Sequence, residues 1–305
     1  MSYILLTWLL TPIWWPLAWV RSFVCPDPKR ILIAEIAGIG DVVCSTAVFK
    51  AVRDRYPQAH IALMVDTVLT DLAAQDQNLD EIIPFAYGAQ RGLKGRLALA
   101  ASMRRFDTVI CLIPSAAQLT AACWAAVPRR YSVLPDVPTA SYQWLAPLMT
   151  HVQAHQSNTP FVGTQLQLLL PMGVKQGDLT RHLHVQASSR VHEHALLHRP
   201  ATRWIGIAVG SGQGIKAIQP QVLDVLIEQV LADQGLGVVL IGGAKEAALA
   251  AQLAQAHETD RLVNTAGQIG LADLPALIEQ LSVFVGVDSG VTYMADALGI
   301  PMVYL

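Results

Sequence analysis

The sequence predicts an α/β protein of two Rossmann-like domains with parallel sheets facing a cleft, plus a hydrophobic N-terminal segment. Three observations point there. Short apolar runs alternate with helix-length stretches in two separate series, a proline-bearing irregular stretch divides the series, and several runs end in glycine-rich loops. The length of 305 residues suits two ordinary domains, and 53% hydrophobic content with 14% charge excludes a disordered chain. A formal charge of −2 leaves no basic excess for nucleic acid, so no nucleic-acid partner is expected. Cys25, Cys44, Cys111 and Cys123 form no CxxC pair, which argues against a zinc module or a disulfide scaffold and fits a reducing compartment.

The first element is MSYILLTWLLTPIWWPLAWV (1–20), which has no charged side chain and holds four of the seven tryptophans. Twenty helical residues would span about 30 Å, the thickness of a hydrocarbon core. Pro12 and Pro16 and the spread of tryptophans oppose an uninterrupted span. A secretory signal would need a basic n-region and a cleavage site, and an amphipathic surface helix would need a polar face. Two readings stay open: a membrane-dipping or spanning anchor, and a segment packed on the protein's own surface. A span would leave the remainder in the cytoplasm, because Arg21, Lys29 and Arg30 follow it.

The first α/β series begins after Cys25-Pro-Asp-Pro. ILIAEI (31–36) reads as a buried strand, followed by AGIGD and a helix from Val42 to about Arg55. HIALMVD (60–66), a helix containing Leu69 and Leu72, EIIPF (81–85), a basic helix around 93–105 and TVICLI (108–113) continue the alternation. Residues 132–200 are less regular, with Pro135, Pro138, Pro147, Pro160 and Pro171. The second series has strands at 204–209, 237–242, 261–265, 283–287 and 301–305, with helices near 220–233, 245–256, 271–281 and 291–298. Domain limits are expected at 1–28, 29–190 and 191–305. Open parallel sheets bind ligands beyond the carboxyl ends of their strands, so those loops are where chemistry belongs.

Three of the loops carry suitable residues. Gly38-Ile39-Gly40-Asp41 pairs backbone freedom with a carboxylate at a helix start; Asp41 could equally be a plain N-cap. VGSGQGIK (209–216) offers three glycines, Ser211 and Lys216 to phosphate oxygens, against the reading of a flexible loop with a solvated lysine. It lacks the GK[ST] of a Walker A loop. Asp288-Ser289-Gly290 opens a helix and offers donors and a carboxylate to an anion or a sugar hydroxyl; Ser289 could also be only an N-cap. Gly38, Gly40 and Asp66 weakly imitate a dinucleotide site, but Val43 occupies the third glycine position. His182, His184, His192, His194 and His198 lack zinc-ligand spacing and read as surface histidines, so no metal is expected.

Together these blocks resemble glycosyltransferase family 9, the heptosyltransferase-type enzymes of lipopolysaccharide core assembly. ILIAEIAGIGDVVCSTAVFKAVRDRYPQAHIALMVD is similar to the family's first strand, glycine–Asp turn and helix. FDTVICLIPSAAQLTAACWAAVPRR resembles a later strand and helix, and WIGIAVGSGQGIKAIQP the donor-phosphate loop, with Gln219 where a Trp is usual. AGQIGLADLPALIEQLSVFVGVDSGVTYMADALGIPMVYL is similar to the carboxyl-proximal signature along its length, with Tyr293 in place of the usual His and an acid at Asp296.

The resemblance implies a GT-B fold, with an acceptor domain followed by a nucleotide-sugar donor domain cut short after its last strand. It implies inverting, metal-independent transfer of a sugar, a heptose from ADP-heptose, to lipopolysaccharide core or another lipid-linked glycan. No cofactor is expected beyond the ADP-linked donor. Asp41 would be the general base, with Gly38 and Gly40 in the acceptor-side loop. Ser211, Lys216, Glu246, Asp288, Ser289 and Gly290 would hold the donor. The implied setting is the cytoplasmic membrane's inner face, reached through residues 1–20. A catalytically impaired nucleotide-sugar-binding protein and an NAD-dependent oxidoreductase remain the alternatives.

Overall fold

A computed structural model describes residues 2–86, 88, 91–175, 178–187, 189, 203–211 and 218–305. The chain divides into two compact units, Met1–Gly38 with Ser45–Thr180, and Ile39–Cys44 with Arg181–Leu305.

In the first unit the strands are β1 (Arg30–Glu35), β2 (His60–Asp66), β3 (Glu81–Phe85), β4 (Thr108–Ile113), β5 (Arg129–Leu134) and β6 (His151–Ala154). They form one sheet in the order β3-β2-β1-β4-β5-β6, with every pair parallel. The apolar run of β1 makes it a strand covered on both faces: Ile31 to Ala34 are wholly buried. β3 is an edge strand, where the missing N–H of Pro84 is tolerated. β6 and the second half of β5 arise from the stretch read as irregular. Arg129 and Arg130 obscure the start of β5, and the four residues of β6 are too few to show a period.

Helices α1 (Ser2–Leu9), α2 (Thr11–Val24), α3 (Ile39–Arg55), α4 (Thr70–Ala73), α5 (Gly92–Met103), α6 (Ala116–Trp124), α7 (Ala140–Leu145) and α8 (Phe161–Leu168) accompany these strands. A capping box starts α6: Gln118 N–H donates to Ser115 Oγ, and Ser115 N–H to Gln118 Oε1 at 2.9 Å. The uninterrupted N-terminal span is replaced by two helices bent by 65°, the second with a proline in its first turn and Pro16 inside. Among the described residues no single helix is long and apolar enough to cross a membrane; that length and apolarity are reached only with the two bent helices taken together. Ile4, Trp14 and Ala18 join the core with residues of α6 and α7. The side turned inward rests on protein, so no polar face is needed there.

The second unit contains β7 (Arg203–Ala208), β8 (Leu236–Ile241), β9 (Leu262–Asn264), β10 (Val283–Gly286) and β11 (Met302–Tyr304). Its sheet is parallel, in the order β11-β10-β7-β8-β9. Helices α9 (Pro220–Leu231), α10 (Ala247–Ala256), α11 (Leu274–Ile278) and α12 (Gly290–Ala297) pack on it. Proline at the first position of α9 is pre-set for a helix start. The helix expected over 271–281 shortens to α11.

In each sheet the first strand is central, and strand order reverses beside it. The reversal lies between β1 and β4 in one unit and between β7 and β10 in the other. Ligands of open α/β sheets sit at such switch points. The loops after β1, β7 and β10 carry the three constellations read from the sequence.

Candidate active site

β1 ends in Glu35, a carboxylate buried completely. Its Oε1 accepts Ala37 N–H at 3.3 Å, and its Oε2 accepts Ser45 Oγ–H at 3.1 Å and Gln165 Nε2–H at 3.4 Å. Gln165 Nε2 also lies 3.1 Å from Ser45 Oγ. This network anchors the chain on both sides of the Gly38–Asp41 turn. Sequence reasoning passed over Glu35; the available signal was an acid closing an apolar strand just before a glycine loop.

The helix after that turn starts at Ile39, earlier than expected, so Asp41 stands in its first turn and is not the N-cap. The Asp41 side chain is exposed, as is Gly38. A negative charge remains favourable there because the helix dipole is positive at that end.

Residues Ile39–Cys44 belong to the second unit, and two glycines explain their packing. A Cβ on Gly40 would lie 2.8 Å from the Tyr293 ring. One on Gly290 would lie 2.6 Å from Ile39 Cβ and 3.0 Å from Gly40 N. Only backbone without side chains lets the Gly40 turn and the start of α12 approach this closely. The structure thus brings Gly40, Asp41, Asp288, Ser289 and Gly290 into one neighbourhood.

Asp288 is exposed and accepts the Tyr293 hydroxyl at 3.0 Å. Burial, then the Asp288 carboxylate, push the Tyr293 phenol up to about 12, so it stays a donor. Ser289 holds the N-cap position of α12, but its hydroxyl lies 3.0 Å from Thr292 Oγ1 and makes no capping bond. Thr292 in turn donates to Val287 O at 2.6 Å. The plain N-cap reading of Ser289 therefore fails at the side chain.

Arg181 is the residue that sequence reasoning missed here. It forms an ion pair with Asp296, donates from Nε to Cys44 Sγ at 3.3 Å, and lies over the Tyr293 ring at 5.3 Å. Both departures from the family pattern, Tyr293 and Asp296, thereby have partners. Burial pushes the Cys44 thiol up, with Arg181 pulling against it. No motif marked this arginine, because its partners are 115 and 137 residues away.

After β8, Glu246 precedes α10 and accepts Gly243 N–H at 2.9 Å. A Cβ on Gly210 would lie 2.5 Å from Glu246 Cγ, and one on Gly242 2.8 Å from its Cβ. The loops after β7 and β8 thus close around this carboxylate. Ser211 is half-buried beside Gly210. Lys216, His192, His194 and His198 lie outside the described residues. Asp66, the acid of the dinucleotide reading, accepts Val68 N–H at 3.0 Å and caps a short turn. Among the described residues no three His, Cys, Asp or Glu side chains form a metal-ligand group.

Two parallel α/β units with glycine-rich loops at their switch points define a GT-B-type protein. The chain belongs to glycosyltransferase family 9 (heptosyltransferase), whose model matches residues 96–305, and it is a glycosyltransferase. It is 24% identical over 291 residues to lipopolysaccharide heptosyltransferase 2 of Escherichia coli K12, covering 90% of this chain and 82% of that one. A family 9 glycosyltransferase from Veillonella parvula superposes with a TM-score of 0.78 at 19% identity, over 90% of this chain and 80% of the other. The E. coli ADP-heptose heptosyltransferase II gives 0.73 at 23% identity, over 90% and 84%.

Proposed function

We propose that this glycosyltransferase moves a heptose from ADP-heptose to lipopolysaccharide core or a related lipid-linked glycan, at the inner face of the cytoplasmic membrane. The observation that carries the reading is the close packing of the Gly40–Asp41 turn on the Asp288–Gly290 turn. It sets an exposed carboxylate beside a helix start suited to an anion or a sugar.

In this reading Asp41 accepts the proton of the acceptor hydroxyl as its oxygen bonds to the anomeric carbon. The bond to the diphosphate breaks on the opposite face, inverting the centre and releasing ADP. A carboxylate is a weak base for an alcohol, so proton transfer is late, after the oxocarbenium-like centre has made that hydroxyl acidic. Charge on the departing diphosphate is met by backbone donors after β7 and β10 and by Lys216. Glu246 and Asp288 serve the donor's hydroxyl groups. The relatives named for lipopolysaccharide and ADP-heptose support this choice of substrates.

The test pairs two variants. Asp41→Ala is expected to abolish transfer while ADP-heptose binding, followed by thermal shift, survives. Lys216→Ala is expected to weaken that binding. Unchanged turnover in the first, or unchanged affinity in the second, removes the assigned role.

A further inference from the structure

The N-terminal hairpin has two unlike sides. Its inner side is fixed in place. Trp14 Nε1–H donates to Thr7 O at 3.1 Å, Trp124 Nε1–H to Thr7 Oγ1 at 2.9 Å, and Trp8 Nε1–H to Trp144 O at 3.1 Å. Arg130 lies over the Trp14 ring at 5.1 Å. At the end of α2, Arg21 donates to the carbonyls of Ala125, Ala126, Arg104 and Phe106, each at 2.9 Å. The outer side carries Leu9, Ile13, Trp15, Leu17, Trp19 and Phe23, all between 48% and 76% exposed.

The basic helix α5 adjoins the hairpin at two points. The guanidinium of Arg96 in α5 lies 4.4 Å from the centre of the Tyr3 ring, and Arg21 reaches the carbonyls just past the end of α5. Between residues 86 and 106 the sequence has five basic residues and no acidic one. Arg91 and Lys94 are exposed there, beside exposed Leu93 and Leu97.

We propose that α1, α2 and α5 form one docking face for an anionic lipid bilayer, with the hairpin lying in the plane of the interface. The outer tryptophans and aliphatic side chains enter the boundary between headgroups and acyl chains, and Arg91 and Lys94 meet headgroup phosphates. The proposal rests on the membrane setting proposed above and specifies its geometry. A spanning arrangement does not fit: the 14 residues of α2 reach about 21 Å, short of a hydrocarbon core of about 30 Å. Straightening the pair would also break the bonds of Arg21 and the indole N–H groups. A charge-free outer surface rich in tryptophan and bordered by cations matches an interface of anionic headgroups, where tryptophan is enriched.

The experiment uses the full chain with two sets of vesicles, mixed phosphatidylethanolamine–phosphatidylglycerol and pure phosphatidylcholine. Flotation is expected to show binding to the anionic set at least about tenfold stronger. W15Q/W19Q and R91E/K94E are each expected to weaken it by about tenfold or more, with unchanged melting temperature and unchanged ADP binding. Brominated lipids should quench tryptophan fluorescence most when bromine lies near the headgroups, and W15Q/W19Q should remove that quenching. Strong binding with quenching greatest at the bilayer centre overturns the in-plane geometry and leaves the membrane setting intact. Equal binding to both vesicle sets overturns the headgroup assignment. Failure to bind either set overturns the membrane setting as well as the docking face, whereas undiminished lipid binding in W15Q/W19Q overturns the docking face alone.

Discussion

Replacing Gly290 by alanine tests whether the contact at the base of α12 holds the candidate site together. The new Cβ would stand 2.6 Å from Ile39 Cβ and 3.0 Å from Gly40 N. Carbon atoms in contact ordinarily lie about 3.5–4.0 Å apart, so the two segments must separate by about 1 Å. Neither obstructing atom is the free end of a side chain, and rotamer changes cannot relieve the clash. Overpacking of this kind costs about 1–3 kcal/mol, and each kcal/mol lowers Tm by roughly 2–4 °C in a domain of ordinary size. If Asp41 and the Asp288–Gly290 turn act on one pair of substrates, a shift of about 1 Å also slows transfer by about 100-fold. The control is Gly163→Ala, in α8, where an added Cβ meets nothing within 4 Å. There alanine should gain about 0.5–1 kcal/mol from helix propensity. Thermal unfolding and the rate of transfer from ADP-heptose are measured on both variants. A Gly290→Ala protein with wild-type Tm and wild-type rate would refute the reasoning.

Two other perturbations follow from the first unit. Asp80 accepts Ile61 N–H at 2.7 Å and Arg53 Nη2–H at 2.6 Å; although burial opposes its charge, these partners hold the carboxyl below its ordinary value. A depressed folded value means stability that is present above the usual carboxylate range and lost as pH falls through it. Asp80→Asn should therefore cost up to about 1 kcal/mol at pH 7, limited by solvent screening, and its urea midpoint should meet the wild type's in acid. A gap that persists at low pH would reject the ionic origin. Glu35→Gln keeps the size but turns an amide N–H₂ toward donors, at a cost of about 1–3 kcal/mol by urea unfolding; an unchanged midpoint would show that the buried carboxylate is dispensable to the fold.

Much of the fold is written locally. ILIAEI and WIGIAV are apolar over a strand's length, and such runs become central strands because parallel sheets are covered on both faces. The glycine loops follow those strands directly, so their place at strand ends follows from the same reading. What the sequence left open depends on partners far along the chain. β5 is a strand because β4 offers it an edge, and β6 because β5 does, a condition their own residues do not announce. The first twenty residues look uniformly apolar, yet the fold buries one side against α6 and α7 and leaves the other outward. Glu35 finds Gln165 across 130 residues, and Arg181 finds Asp296 across 115. Periodicity and turn chemistry act over a few neighbouring residues and can be read in order. The partner of a polar or charged side chain is settled only when distant segments meet, which is why the strands and their loops were legible and the network holding them was not.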